Sequence, residues 1–400
     1  MSIRGQRVSN CRVLHVVWGG DVGGIPLQVA AIARLAPGHA VCFLNGKGVV
    51  ADALVDEGLG VRLGIQRAWA PHSLWRLVRT LRTIRPRILH LHALDSLTAV
   101  VVTMVALPRA RRIYTEHSSR SVRWKSRKIK AVYWILRRTQ SRFIAIAPTM
   151  AAALERHGVD PRRICCISNF VTVPRREVVD ARESAHTVGV VCRLVPVKRL
   201  DLLIDLVAEL RRRGLECSGL VVGDGPERTA LEAHAAANGV EDCVRFVGEQ
   251  GDVLPWLDQI DVFLATSEVD AYGVAPLEAM ARGVPVVAMA CDGGLGDLVL
   301  SGGRLLPDRN VATAADAVAE LLASREAREW VRTRGYRAAA EHSSELVLAK
   351  LEELYRSVEA GGSSLADRQS ADAGGAGQTS VRALQDGEFE GPPPAGGGPR

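Results

Sequence analysis

The sequence predicts an α/β protein built from two doubly wound parallel sheets. Short apolar runs rich in Val, Ile and Leu recur along the chain, and each is followed, after a turn, by an amphipathic stretch of helical period. That alternation is the pattern of repeated strand–helix–strand crossovers. The series is interrupted once, by the polar segment RREVVDARESAH that ends at His186, and then starts again. With 400 residues, each half is long enough to bury its own core.

Taken in order, Arg12 to Trp18 (RVLHVVW) reads as a buried strand. It is followed by the loop GGDVGGI and a helix in which Pro26 fits the first turn. HAVCFL is a strand, ADALVDEGL a helix and GVRLGI a strand. SLWRLVRTLRTIRP is an amphipathic helix, with Leu74, Leu77, Val78, Leu81 and Ile84 at helical spacing. RILHLHA, RRIYTEH, FIAIA and Arg163 to Ser168 supply the remaining strands of this half. The second series runs through the strand TVGVVCRL, the helix DLLIDLVAELRRRG and the strand-turn SGLVVGDGP. It continues through the helix ERTALEAHAAANG and the strands VRFVG and DVFLATSE to a helix near ATAADAVAELLAS. Residues 328–358 read as helical. The expected organisation is a first domain over residues 1–175, a linker at 176–186 and a second domain over 187–340. A terminal helix at 341–360, able to cross back to the first domain, and a Gly-, Ala-, Ser- and Pro-rich tail at 361–400, expected to be disordered, complete it.

Composition narrows the function class. Hydrophobic residues make up 47% and charged residues 24%, as in ordinary globular proteins. Each apolar run is broken before it could span a bilayer, and the N-terminus leads straight into a strand without a secretory pattern, so a cytoplasmic location is expected. The eight cysteines show no paired C-x-x-C spacing, which leaves zinc and redox motifs unsupported and points to buried, reduced thiols. No metal and no other cofactor is expected. Net charge is +7, concentrated between Arg109 and Arg142, where Glu116 is the one acid. That block interleaves cations with Trp124, Tyr133, Trp134, Ile135 and Leu136. Over residues 120–142 it suits a helix at the anionic inner face of a membrane, or else a solvated helix face. No nucleic-acid-binding module accompanies it, so no nucleic-acid partner is expected.

The run SEVDAYGVAPLEAMARGVPVVA carries the most chemistry. Asp270 lies in a Gly-containing turn, and Glu278 follows eight positions later at the start of a helix pattern that gives way to the strand Val286–Ala288. Carboxylates beside the orphan N–H groups of a helix start can help hold a phosphorylated or polyhydroxylated ligand. A turn-stabilising role for Asp270 and a macrodipole role for Glu278 are equally compatible with these positions.

This run resembles the Glu-x7-Glu motif of retaining glycosyltransferases of family four, which have the GT-B fold of two Rossmann-like domains facing a central cleft. VCRLVPVKRLDLLI resembles the same family's G-R-L-x-x-x-K-x-x-D-x-L-I segment, and LVVGDGPERTALE its strand, G-x-G-P turn and helix. The resemblance implies that Arg193 and Lys198 stabilise the leaving diphosphate, with the main-chain N–H groups of Gly273 and Val274 as further donors. It implies that Glu278 binds the nucleotide ribose, and that Asp270 and His117 orient the donor sugar. Gly23 and Gly24 resemble the glycine-rich loop on the acceptor side, and ILHLHA and IYTEH resemble strands ending in His92 and His117. Asn169 matches the interdomain segment and reads as structural. The chain departs from the pattern at Asp270 and Asp297, where the family has Glu, and at Cys192 and Phe170, where it has Gly. The activity implied is transfer of a sugar from a nucleotide-sugar donor to a glycan or lipid-linked acceptor, in surface polysaccharide or glycolipid synthesis, with a possible peripheral association with the membrane. A sugar-nucleotide epimerase of the same fold and a non-catalytic membrane-associated binding protein are the rival readings.

Overall fold

A computed structural model describes residues 6–9, 11–21, 23–66, 70–93, 97–117, 127–174 and 186–361. The expected linker at 176–186 (all but His186), Trp124 and residues 362–400 of the expected tail lie outside the described residues. The strands form two wholly parallel sheets. The first contains β1 (Val13–Val17), β2 (His39–Phe43), β3 (Gly60–Arg62), β4 (Ile88–His92), β5 (Arg111–Glu116), β6 (Arg142–Ala145) and β7 (Ile164–Cys166), in the order β3-β2-β1-β4-β5-β6-β7. The second contains β8 (His186–Val191), β9 (Cys217–Val222), β10 (Val244–Phe246), β11 (Val262–Ala265), β12 (Val286–Ala288) and β13 (Arg304–Leu305), in the order β10-β9-β8-β11-β12-β13.

Both sheets therefore change direction beside their first strand, between β1 and β4 and between β8 and β11. Loops leave such a switch point to opposite sides and open a crevice at the strand carboxyl ends. The continuous apolar runs follow from the same topology. Every residue of β1, β2 and β4 is buried, because helices cover both faces of a parallel sheet. At the sheet edge the period of two returns. Cys165 of β7 is buried and Cys166 is exposed, so the expectation of buried thiols fails for Cys166.

The described residues fall into two compact units, one up to Phe170 together with the chain from Ser344 on, the other Val171–Ser343. The helical stretch expected over 328–358 is two helices, Arg325–Glu341 and Ser344–Glu359. Between them Ser343 forms a parallel bridge with Val171, whose N–H donates to the His342 carbonyl at 3.1 Å. Helix Ser344–Glu359 then packs Val347, Leu351, Leu354, Tyr355 and Val358 against Val13, Ile88, Ile113 and Ile144 of the first sheet. Among the described residues no helix is long and apolar enough to cross a membrane.

Candidate functional site

In the second unit the candidate residues gather at the switch point between β8 and β11. The loop after β8 is held by close backbone contacts with the turn after β9. Cys192 N–H donates to the Val222 carbonyl at 3.0 Å and Leu194 N–H to the Asp224 carbonyl at 2.9 Å. Glycine is required at Gly223, where φ is 131° and a Cβ would sit 1.9 Å from the Cys192 carbonyl oxygen. Gly225 is equally tight, with a Cβ position 2.3 Å from the Leu194 oxygen. The glycines of the GDGP turn thus shape the Arg193 loop.

That loop is also tied to the loop after β11. Thr266 Oγ1 donates to the Lys198 carbonyl at 2.7 Å, and Glu268 N–H to the Val197 carbonyl at 2.9 Å. Arg199, left-handed with φ 49°, spans Asp201 and Glu268 with its guanidinium. Arg309 closes the back of the site by donating to the carbonyls of Thr266, Ser267 and Ala290 at 2.7, 3.0 and 3.1 Å. Neither Arg199 nor Arg309 stands out in the sequence, because Glu268 and the three carbonyls are brought near only by the fold, Asp201 alone being a local partner.

Lys198 Nζ donates to Asp270 Oδ2 at 2.5 Å, with about a fifth of each side chain exposed (21% and 19%). Burial disfavours the ammonium, but the charge and hydrogen bond of Asp270 outweigh it and raise the Lys198 pKa above its ordinary value. The other Asp270 oxygen accepts, at a long 3.5 Å, from the Tyr272 N–H. Asp270 is therefore already occupied as a turn residue and a lysine partner. Arg193 is exposed, and its guanidinium has no hydrogen bond or ion pair among the described residues.

Gly273 caps helix Val274–Ala281 in the left-handed region, at φ 87°, and a Cβ there would meet Leu295 Cδ1 at 2.7 Å. No side chain caps this helix, which leaves its first N–H groups, Val274 among them, without a side-chain acceptor. Glu278 is in the second turn, beyond the reach of the helix terminus, so the expected place at the helix start is corrected and the macrodipole role falls away. Its carboxylate is half-buried, without a hydrogen bond or ion pair among the described residues. Burial, and secondarily the charge of Asp252, push its pKa up to about 7. Asp297 lies in the first turn of helix Gly294–Gly302.

The first unit holds the other candidates. Gly23 caps helix Gly24–Leu35 in extended backbone, and a Cβ on Gly24 would meet nothing within 4 Å. The tight positions are instead Gly20 of this loop and Gly48 of the loop after β2, whose Cβ atoms would fall 2.3 Å from Ala51 Cβ and 2.2 Å from the Gly20 carbonyl carbon. His92 and His117 are both buried, and they bond each other, His92 Nδ1 to His117 Nε2, at 2.9 Å. Burial lowers the His117 pKa to about 4. With Gln28, Thr115 and Asn169 they line a cavity of about 30 Å³, room for one water. Asn169 is buried, and the Phe170 backbone beside it is pinned at both its N–H and its carbonyl by Gln28, in keeping with a structural role.

Nothing in the sequence signals that His15, His39 and His90 join this group. Ring nitrogens of His15, His90 and His92 lie within 4.8 Å of one another, a spacing that a metal could bridge. Both nitrogens of each ring are already engaged, His90 by Tyr355 and Thr115 and the other two by neighbouring imidazoles. The basic helix Arg127–Thr139 turns Tyr133 and Leu136 into the core, where Tyr133 bonds Glu116. Trp134, 51% exposed with Arg138 stacked over it, remains outside.

Comparison with known proteins gives the family. The profile of "Glycosyl transferases group 1" matches residues 175–338, and that of "Glycosyltransferase Family 4" matches residues 38–175. The chain belongs to the group 1 glycosyltransferases. It is 37% identical over 193 residues to a D-inositol 3-phosphate glycosyltransferase of Salinispora tropica, covering 40% of each chain. It is 29% identical over 178 residues to the lipopolysaccharide core biosynthesis mannosyltransferase LpsB of Rhizobium meliloti, covering 42% of this chain and 50% of that one. The matches thus span 40% to 50% of the length of these curated relatives. Anabaena HepE, solved in complex with UDP and glucose, superposes with a TM-score of 0.76 at 19% identity, over 87% of this chain and all of that one. At that identity the likeness establishes the fold, which is GT-B.

Proposed function

We propose that this group 1 glycosyltransferase transfers a sugar, with retention of configuration, from a nucleotide-sugar donor that binds at the switch point of its second unit. The observation that carries this reading is the unpartnered carboxylate of Glu278, a turn beyond an uncapped helix start and across the switch point from a loop bearing Arg193 and Lys198. A carboxylate can accept from both vicinal hydroxyls of a ribose. The free guanidinium of Arg193, the Lys198 ammonium and the N–H groups at Gly273 and Val274 suit a diphosphate. In the reaction, the bond from the anomeric carbon to the diphosphate breaks, a bond to the acceptor oxygen forms on the same face, and the acceptor proton leaves with the diphosphate. Fixed cations lower the barrier by stabilising the charge that develops on the leaving group. We assign Arg193 and Lys198 to that task, Glu278 to the ribose and His117 to a sugar hydroxyl. Asp270 acts chiefly by positioning Lys198.

The names of the relatives support a polyol or glycan acceptor. The exposed Trp134 and the cations of helix Arg127–Thr139 support a lipid-linked one, which sedimentation with anionic vesicles tests: no binding removes that part of the reading. The central experiment is a thermal-shift screen of UDP- and GDP-sugars, followed by assay for released nucleotide. Stabilisation by one nucleotide class, lost in Glu278→Gln, is the expected result. Absence of stabilisation by any nucleotide would sink the transferase reading, and release of epimerised nucleotide sugar without an acceptor would replace it with an epimerase.

A further inference from the structure

A file of hydrogen-bonded imidazoles crosses the first unit from the carboxyl end of β5 to helix Ser344–Glu359. His117 Nε2 lies 2.9 Å from His92 Nδ1, and His92 Nε2 lies 3.0 Å from His15 Nδ1. His15 Nε2 is 3.0 Å from His39 Nδ1, and His39 Nε2 is 2.8 Å from Glu352 Oε1. Each link joins an Nε2 to the next Nδ1, so the file has one direction. All four rings are buried. Burial is the largest cause lowering the pKa of each, which keeps them neutral near pH 7.

A neutral imidazole has one N–H and one lone pair. The file therefore has two self-consistent arrangements, every ring Nε2–H or every ring Nδ1–H. Glu352 decides between them. Its other oxygen accepts from the Arg12 guanidinium at 2.8 Å, and a carboxylate offers only lone pairs. His39 must donate from Nε2 and accept at Nδ1, and the same requirement passes to His15, His92 and His117. At the far end His117 Nδ1 carries a lone pair and has no hydrogen-bond partner among the described residues.

We propose that Glu352, acting through His39, His15 and His92, locks His117 as the Nε2–H tautomer, so that His117 Nδ1 accepts a hydrogen bond from a ligand hydroxyl. The ligand class is a polyol or sugar. Phosphate oxygens, which also bring lone pairs, are disfavoured at this atom. Only the identity of the ligand rests on the transferase reading. Glu352, His39, His15 and His92 are positioning residues.

The test is long-range proton–nitrogen NMR on the full chain with ring-labelled histidine and no nucleotide, with His117 assigned from a His117→Gln sample. The wild type should show His15, His39, His92 and His117 as Nε2–H. In Glu352→Gln the amide oxygen is claimed by Arg12 and the NH₂ faces His39, so all four should invert to Nδ1–H while the melting curve shows a folded protein. A second variant, His39→Leu, should leave His117 as a mixture. Titration with myo-inositol as the probe hydroxyl should move the wild-type Nδ1 resonance, and sulfate, an oxyanion with no O–H to donate, should not. The proposal is overturned by an Nδ1–H His117 in the wild type, or by an unchanged tautomer in either folded variant. It is equally overturned by sulfate acting where inositol does not, or by stoichiometric zinc on His15, His90 and His92 in the purified protein. None of these outcomes depends on nucleotide binding, so the proposal and the transferase reading fail separately.

Discussion

Glu278 is held in a state that costs folding and serves binding. Its folded pKa, about 7, is above the ordinary carboxylate value of 4.5. An acid raised in this way contributes stability that is fully present below the unfolded pKa and is lost as pH rises through the folded one. The loss is on the order of 3 kcal/mol at most, because each tenfold change in a protonation equilibrium is worth about 1.4 kcal/mol. Glu278→Gln should therefore melt higher than the wild type at pH 8, by a few degrees, and no higher near pH 4. The same change should weaken nucleotide binding roughly 10- to 100-fold, the usual worth of hydrogen bonds to a charged group. Wild-type affinity should also fall as pH drops from 8 to 6 and the carboxylate takes up a proton. Calorimetric melting and titration at the three pH values check both halves, and a Glu278→Gln protein that loses stability at pH 8 without losing affinity would contradict them. Lys198 and Asp270 behave differently, since each satisfies the other. Asp270→Asn leaves a half-buried ammonium without its charge partner, and should cost about 1–3 kcal/mol, less than a fully buried pair. A double-mutant cycle with Lys198→Met reads the coupling directly. A coupling near zero would show that the pair is a surface contact and return Asp270 to the role of sugar ligand.

At the scale of elements, glycines separate what the backbone needs from what a ligand needs. Gly223 approaches the Cys192 carbonyl too closely for any side chain, and its φ of 131° is one that L residues rarely adopt. Gly223→Ala should cost about 3 kcal/mol through overpacking and backbone strain together. Gly24 has open space around its missing Cβ, so Gly24→Ala should change stability by less than about 0.5 kcal/mol. Any effect of Gly24→Ala on turnover with unchanged melting would then report contact between the loop and a ligand. Denaturant midpoints with matched slopes measure both. The contrast also shows what is legible in the chain itself. The strands are legible because continuous Val and Ile runs in a parallel sheet are buried on both faces, and Val286–Ala288 falls where its apolar run places it. The break at His342–Ser343 is not legible, since its cause is a bridge to Val171, far away in sequence. The expected Glu278 position is off by a turn because the helix already begins at Val274, directly after the left-handed Gly273 and four residues before Glu278. His39 and Glu352 are 313 residues apart, and nothing in the local pattern of either announces the other.

At the scale of the whole molecule, helix Ser344–Glu359 is the last element among the described residues yet completes the unit that holds the first strand. Val347, Leu351, Leu354, Tyr355 and Val358 are 5% exposed or less, and bury themselves in the core of the first sheet. At about 1.5–3 kcal/mol per fully buried apolar side chain, the five contribute on the order of 10 kcal/mol. That is comparable to the entire stability of a typical domain, about 5–15 kcal/mol. A stop after Ser343 should therefore unfold the first unit, and it should also remove Glu352, the anchor of the histidine file. The second unit keeps its own sheet and its packed helix Arg325–Glu341, so it should stay folded. Limited proteolysis should then cut freely before Phe170 while sparing the region from His186 to Ser343. Whichever nucleotide stabilises the full chain should still bind the truncated one, because the proposed ribose and diphosphate ligands all lie on the second unit. A stop after Gly361 keeps every packing residue named here and should preserve both units. Loss of nucleotide binding in the chain ending at Ser343, with its second unit still protease-resistant, would show that the first unit supplies donor contacts and would displace the donor site from the second unit alone.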